Sequence, residues 1–205
     1  MKRTVAVIVQ IILHLVEAFA WHKYELPCDE NLLKASRLVL FREVGTHEQS
    51  NRNDGREIEK YLEPLNLPKG SAYCVAGQYY CFHEAVKLLR YPIVSNPLPR
   101  TGSSMNLFLY AKLNGTKGQF QTSVDDLVVW QRGKSRFGHT ERIIEVQRKG
   151  WIKTVGFNTK KYDSRQKRWV EGVFLWKRNL LYPLGGMHLV GIVGFRKVKN
   201  VHRTN

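Results

Sequence analysis

The sequence is short of acid. Asp and Glu total 17 against 33 Lys and Arg, a formal net charge of +16 with a pI near 9.9. It is short of cysteine too, with only Cys28, Cys74 and Cys81. An odd count leaves at least one thiol unpaired. Cys74 and Cys81, if on one helix, would sit about 10 Å apart by the helical rise, too far for a disulfide. A Cys28–Cys81 bridge, if one forms, would leave Cys74 free. No Cys/His spacing fits zinc. The NRNDG loop at 51–55 lacks the alternating acidic ligands of a calcium loop. Neither a metal nor a cofactor is expected. There is no recognition-helix pattern and no paired aromatic RNA-binding signature, so nucleic acid is not an expected partner; its only support is the charge. Internal repeats and low-complexity segments are missing.

What is present is enough for one domain with a core: 205 residues, 43% hydrophobic and 24% charged. The basic residues are scattered, and denser after about residue 112. A solvated basic surface is the plain reading; attraction to an anionic polymer is the other.

Residues 1–20 have a secretory layout. Lys2 and Arg3 precede an apolar run to about Leu15, and Ala18-Phe19-Ala20 offers small residues where a signal peptidase needs them. Cleavage after Ala20 would place the mature chain, 21–205, outside the membrane or in the periplasm. His14 and Glu17 interrupt the run, and a spanning helix needs about 20 apolar residues, so no stable membrane anchor is expected.

Beyond residue 24 the hydrophobic period is first helical and then strand-like. DENLLKASRLVLFRE (29–43) predicts a helix capped by Asp29. Arg56 to Leu62 predicts a second. Ala72 to Arg90, apolar on most sides, predicts a third that is buried. Ser103 can cap a fourth through Leu113. After Gly118 strands are expected at 126–131, 139–147, 151–157, 169–176 and 189–197. Helices followed by strands predict an α+β fold, with N-terminal helices packed on an antiparallel sheet. Trp130, Trp151, Trp169 and Trp176 alternate with polar residues on these strands. They read as core and inter-strand packing, with sugar stacking the other use open to them.

Three residues could carry chemistry. Cys74 follows Gly70-Ser71-Ala72 and falls in the first turn of the third helix. The positive end of a helix dipole favours a thiolate, and unpaired N–H groups there can hold an oxyanion. His139, after Gly138, opens a strand and can serve as base. Asn158 ends the next strand, and its amide can accept from an imidazole N–H. Taken singly, each also fits a structural role. Cys81, deeper in the same helix, reads as core packing.

The order of these residues, with the segments around them, resembles the papain-like CHAP family (cysteine, histidine-dependent amidohydrolase/peptidase). EVGTHEQSNRNDGREIEKYLEPLNLPKGSAYCVAGQYY (43–80) looks like the family's start: a helix ending in Val-Gly…Glu, an Asn-rich loop, a short helix, and a Cys opening the central helix. PLPRTGSSMNLFLYA is similar to its Pro…Thr-Gly-Ser segment. DDLVVWQRG…FGHTERIIE is similar to its Gly-Asp strand and Gly-His. TVGFNTKK and EGVFLWKRNL are similar to its later strands. The likeness covers roughly residues 38–196. It implies a papain-like fold, with Cys74 as nucleophile, His139 as base and Asn158 as the orienting residue. It implies a secreted hydrolase of peptidoglycan, an N-acetylmuramoyl-L-alanine amidase or stem-peptide endopeptidase. Glu43 and Glu48 flank a loop that the family places near the cleft, so they are expected to bind substrate or hold the loop, or else to be solvated. The chain departs from the family pattern at Asp125-Asp126 (usually Gly-Asp), Tyr73 (often Trp), Thr140-Glu141 (small apolar) and Phe157 (Gly). These departures feed an alternative: a non-catalytic wall-binding or structural protein on the same fold.

Overall fold

Residues 21–198 are described by the structure, a computed structural model; the expected signal peptide at 1–20 lies outside them. Strand β1 (His22–Asp29) leads into helices α1 (Glu30–Glu43), α2 (Arg56–Leu62), α3 (Cys74–Leu88) and α4 (Ser104–Asn114). Six strands follow: β2 (Thr116–Gly118), β3 (Leu127–Gln131), β4 (Gly138–Val146), β5 (Trp151–Asp163), β6 (Arg168–Asn179) and β7 (His188–Val198). The fold is α+β. The seven strands form one sheet in the order β2-β1-β7-β3-β4-β5-β6.

The helix boundaries follow from local chemistry. The Asp29 carboxylate accepts from the backbone N–H groups of Asn31 and Leu32 and starts α1. The Ser103 hydroxyl accepts from Asn106 N–H and starts α4. Buried residues run around most of α3, from Cys74 to Val86. One side of α3 packs with β1, β3 and β7 around Leu107, Val129 and Val193. The other packs with α1, α2 and β5 around Tyr61, Val155 and Phe157. Alternation along β3 sends Leu127 and Val129 toward the helices and Val128 and Trp130 to a third cluster with Ile143, Ile152, Leu180 and Leu189. Gly77 lets α3 approach β5: a Cβ there would lie 2.1 Å from the Phe157 ring.

The sheet differs from the expected one at β1. Its sequence, HKYELPCD, carries Pro27 and charged residues, yet it is an inner strand and pairs in parallel with β7 from His22↔Gly191 to Asp29↔Val198. The other neighbours run antiparallel. Burial of Lys23 is made tolerable by Asp126, whose carboxylate accepts from its ammonium at 2.9 Å.

Asp125 has φ +80°, a conformation that favours glycine, at the position where the family pattern has Gly. Its carboxylate is buried and accepts from Arg37 and from the fully buried Arg142, the latter at 2.9 Å. Arg142 also donates to Ser36 and lies over the Phe82 ring. An ion-paired hub thus ties the β3 entrance to α1.

The three cysteines are free and buried. Cys28 and Cys81 lie in different core clusters, and no bridge joins them. Burial pushes the Cys28 thiol up to about 12 and raises that of Cys81 further.

Candidate active site

Cys74 is the first residue of α3 and sits at the edge of the core, 5% exposed. Tyr73, at the N-cap, gives the helix no side-chain acceptor. The first-turn N–H groups are therefore left for another acceptor. Cys74 falls at the helix start because the Gly70-Ser71-Ala72 stretch, entered by a turn, separates it from Pro68 and the buried run of the helix begins at residue 74.

His139 is the second residue of β4, opposite Trp130 on β3, with ring centroids 6.3 Å apart. Gly138 allows this placement. A Cβ there would lie 2.3 Å from the Trp130 carbonyl oxygen and 2.6 Å from Ser104 Oγ. The Cys74 side chain lies close enough to the His139 ring to raise its pKa. The expected pair is thus brought together across the α3–β4 contact.

The side chain that faces His139 is that of Glu141, not of Asn158. Glu141 Oε1 lies 3.2 Å from His139 Nε2. A carboxylate only accepts, so Nε2 carries the proton and Nδ1 is the nitrogen left to serve the thiol. Alternation puts residues 139 and 141 on one face of β4. Register then adds Thr154 and Gly156 from β5 and Arg178 from β6 to that face. The Arg178 guanidinium forks onto Glu141, at 3.0 Å from Nε and 2.6 Å from Nη2, and the Thr154 hydroxyl donates as well. Trp176 covers Arg178, 4.4 Å from its guanidinium. Gly156 leaves the room: a Cβ there would come within 2.9 Å of Glu141 Oε1.

Asn158 falls elsewhere because β5 bulges between Gly156 and Thr159. Its φ is +57°, and its amide donates to Asn53 Oδ1 at 2.6 Å. The bulge breaks the alternation that would have aimed it at His139. Sequence reasoning missed Glu141 by reading it as a departure from the family's small residues. The signal was there: an acid two residues from the base, within a strand otherwise destined for burial, needs a partner.

The charges follow from these contacts. Burial disfavours the His139 imidazolium, but the hydrogen bonds and charges of Cys74 and Glu141 outweigh it and raise its pKa to about 9. Burial would also raise Glu141, yet the hydrogen bonds and charges of His139 and Arg178 hold it down at about 2. Glu141 is completely buried and ionised, a clamp on the imidazole with its countercharge built in.

Glu43 and Glu48 are buried, not solvated, and hold the loop between α1 and α2. Glu43 accepts from Tyr61 Oη at 2.6 Å and from Lys60 Nζ at 2.9 Å. Glu48 accepts from Asn53 N–H at 2.7 Å and from Tyr73 Oη at 2.8 Å. Tyr73 directly precedes Cys74, so Glu48 ties the loop to the start of α3. Burial raises the Glu48 pKa against these two hydrogen bonds.

Among the described residues no group of three or more His, Cys, Asp and Glu could hold a metal ion. None of the described helices is long and apolar enough to cross a membrane. No family model, curated protein or solved structure matches the chain.

Proposed function

We propose that the protein is an exported, papain-like cysteine amidohydrolase that cleaves an amide bond of peptidoglycan, either the link between glycan and peptide or a bond within the stem peptide. The observation that carries this reading is the Cys74–His139–Glu141 relay at the N-terminus of α3. The substrate class rests on the CHAP resemblance, with the basic surface suiting an anionic polymer.

The chemistry runs in two halves. The Cys74 sulfur, having given its proton to His139, attacks the carbonyl carbon. The carbonyl oxygen becomes an oxyanion facing the first-turn N–H groups of α3. The C–N bond then breaks as His139 gives its proton to the leaving amine, and a thioester with Cys74 remains. Water next attacks the thioester while His139 takes its proton. The acid leaves, and the thiol is restored. Glu141 holds the imidazole in one tautomer and stabilises its charged form throughout.

Release of soluble fragments from purified peptidoglycan, comparing the parent with Cys74→Ala, tests the proposal. Release by the parent alone is expected, and mass spectrometry of the fragments names the bond. If neither protein releases fragments from several wall types, the non-catalytic wall-binding reading replaces this one.

A further inference from the structure

The distal halves of β5 and β6 do not belong to the core of the sheet. Pairing between β4 and β5 stops at Glu141↔Gly156. From Thr159↔Gly172 to Asp163↔Arg168 the two strands pair with each other as an arm. A two-stranded hairpin is marginal alone, and this one is pinned on a single side by the α1–α2 loop. Glu48 N–H donates to the Glu171 carbonyl at 2.9 Å. Asn51 clasps the arm by donating to the Trp169 carbonyl and accepting from Glu171 N–H, both at 2.9 Å. Gly172 makes this contact possible, since a Cβ there would lie 2.1 Å from the Thr46 carbonyl oxygen.

The arm's surface is unlike core packing. Tyr162 and Trp169 are cross-strand partners with rings edge-to-face, 5.6 Å apart. They remain 49% and 54% exposed, so Trp169 departs from the packing role expected of it. Lys160 is paired with Glu171. Lys161, Arg165, Lys167 and Arg168 are exposed; Arg165 and Lys167 lie in the turn next to the aromatic pair, while alternation puts Lys161 and Arg168 on the opposite face of the arm. The one acid at the tip, Asp163, is engaged in the turn, accepting from the N–H groups of Arg165 and Gln166. The tip, Asp163 to Lys167, is polar throughout, so it offers no apolar wedge to a lipid interface. Aromatic faces flanked by cations suit a polymer that presents rings and anions in alternation.

We propose that this arm is a second binding surface for peptidoglycan, in which Trp169 and Tyr162 stack on glycan rings and the neighbouring cations pair with stem-peptide carboxylates. The proposal rests on the reading of the site as a wall hydrolase. The loop that pins the arm also reaches the nucleophile, through Glu48 and Tyr73. The arm and the start of α3 therefore share one anchoring loop.

Cosedimentation of the full chain carrying Cys74→Ala with insoluble peptidoglycan freed of other polymers tests this without consuming the polymer. Trp169→Ala should weaken binding about tenfold, the usual loss for a stacked aromatic contact. A variant with R165Q and K167Q should bind more weakly and lose much of the salt dependence. In the active chain both variants should slow cleavage of insoluble wall, yet cleave a soluble disaccharide-peptide fragment at the parental rate with an unchanged melting temperature. Trp169-dependent wall binding by a protein that never hydrolyses would sustain the arm and sink the proposed activity. Parental binding by both variants overturns the arm, as does equal loss on the wall and the soluble fragment. Trp169-dependent retention of single-stranded DNA without wall binding also overturns it, and makes nucleic acid the occupant.

Discussion

His139 and Glu141 stand two residues apart on β4 with Nε2 and Oε1 3.2 Å from each other, so the residues proposed as base and orienting acid share one strand and one face. No loop movement can separate them. The relay's precision then depends on where α3 places the thiol and on what holds the acid, and each can be tested.

Glu141→Gln should lower hydrolysis by on the order of 10² to 10⁴, because an amide can present its N–H to the ring and spoil the tautomer. It also leaves Arg178 without its countercharge, at a cost of about 3 kcal/mol in stability. Asn158→Gly, which keeps the positive φ, should leave the rate within about threefold, the ordinary scatter of a site outside the relay. Rates on purified wall and denaturant midpoints measured side by side would decide. An Asn158→Gly loss as large as that of Glu141→Gln would restore Asn158 to the relay.

The pH response follows from two shifts of opposite sign. His139 titrates at about 9 in the folded chain against 6.5 ordinarily. Its stabilising contribution is complete below 6.5 and disappears as pH climbs through 9. Glu141 titrates near 2 against 4.5. Its contribution is complete above 4.5 and disappears as pH falls toward 2. Stability should therefore sag at both ends of the range. NMR titration of the His139 ring should show a high pKa in the parent and a lower one in Cys74→Ala, where the thiol's hydrogen bond and charge are gone. An unchanged value would mean the thiol does not face the ring.

Gly138→Ala would force a Cβ to within 2.3 Å of the Trp130 carbonyl oxygen. Overpacking of this kind costs about 1–3 kcal/mol. The strain falls next to the base, so the rate should fall more than stability does. A variant with parental activity would show that β4 can shift without moving His139.

Tyr73→Phe and Glu48→Gln should each loosen the loop at 46–55 and lower activity, with proteolytic nicking appearing in that loop. The two lesions touch the same buried hydrogen bond, so the double variant should lose less than the sum, with a coupling of about 0.5–3 kcal/mol. Additive losses would mean that Glu48 supports the loop only through Asn53.

Much of this was legible in the sequence. The period of α3, the Asp29 and Ser103 caps and the Gly-His opening of β4 are local signals, and the structure keeps them. Cys74 and His139 were legible for the same reason: each sits at an element boundary marked by glycine. β1 was not legible, because Lys23 and Pro27 argue against an inner strand until Asp126 appears 103 residues later to pair the charge. Glu141 was hidden the same way, its countercharge Arg178 lying 37 residues on. The bulge that diverts Asn158 leaves no mark that alternation alone would show.

Strand β7 lies between β1 and β3. The first and last strands of the described chain are thus neighbours, and the β1 side of the sheet is joined to the β3–β6 side through β7. On a ribosome, β1 has no inner partner until residues 188–198 emerge, and pairing across such a separation is slow. The completed sheet therefore waits on β7. For the export proposed above, that delay would help the chain stay unfolded while it threads through a translocation channel.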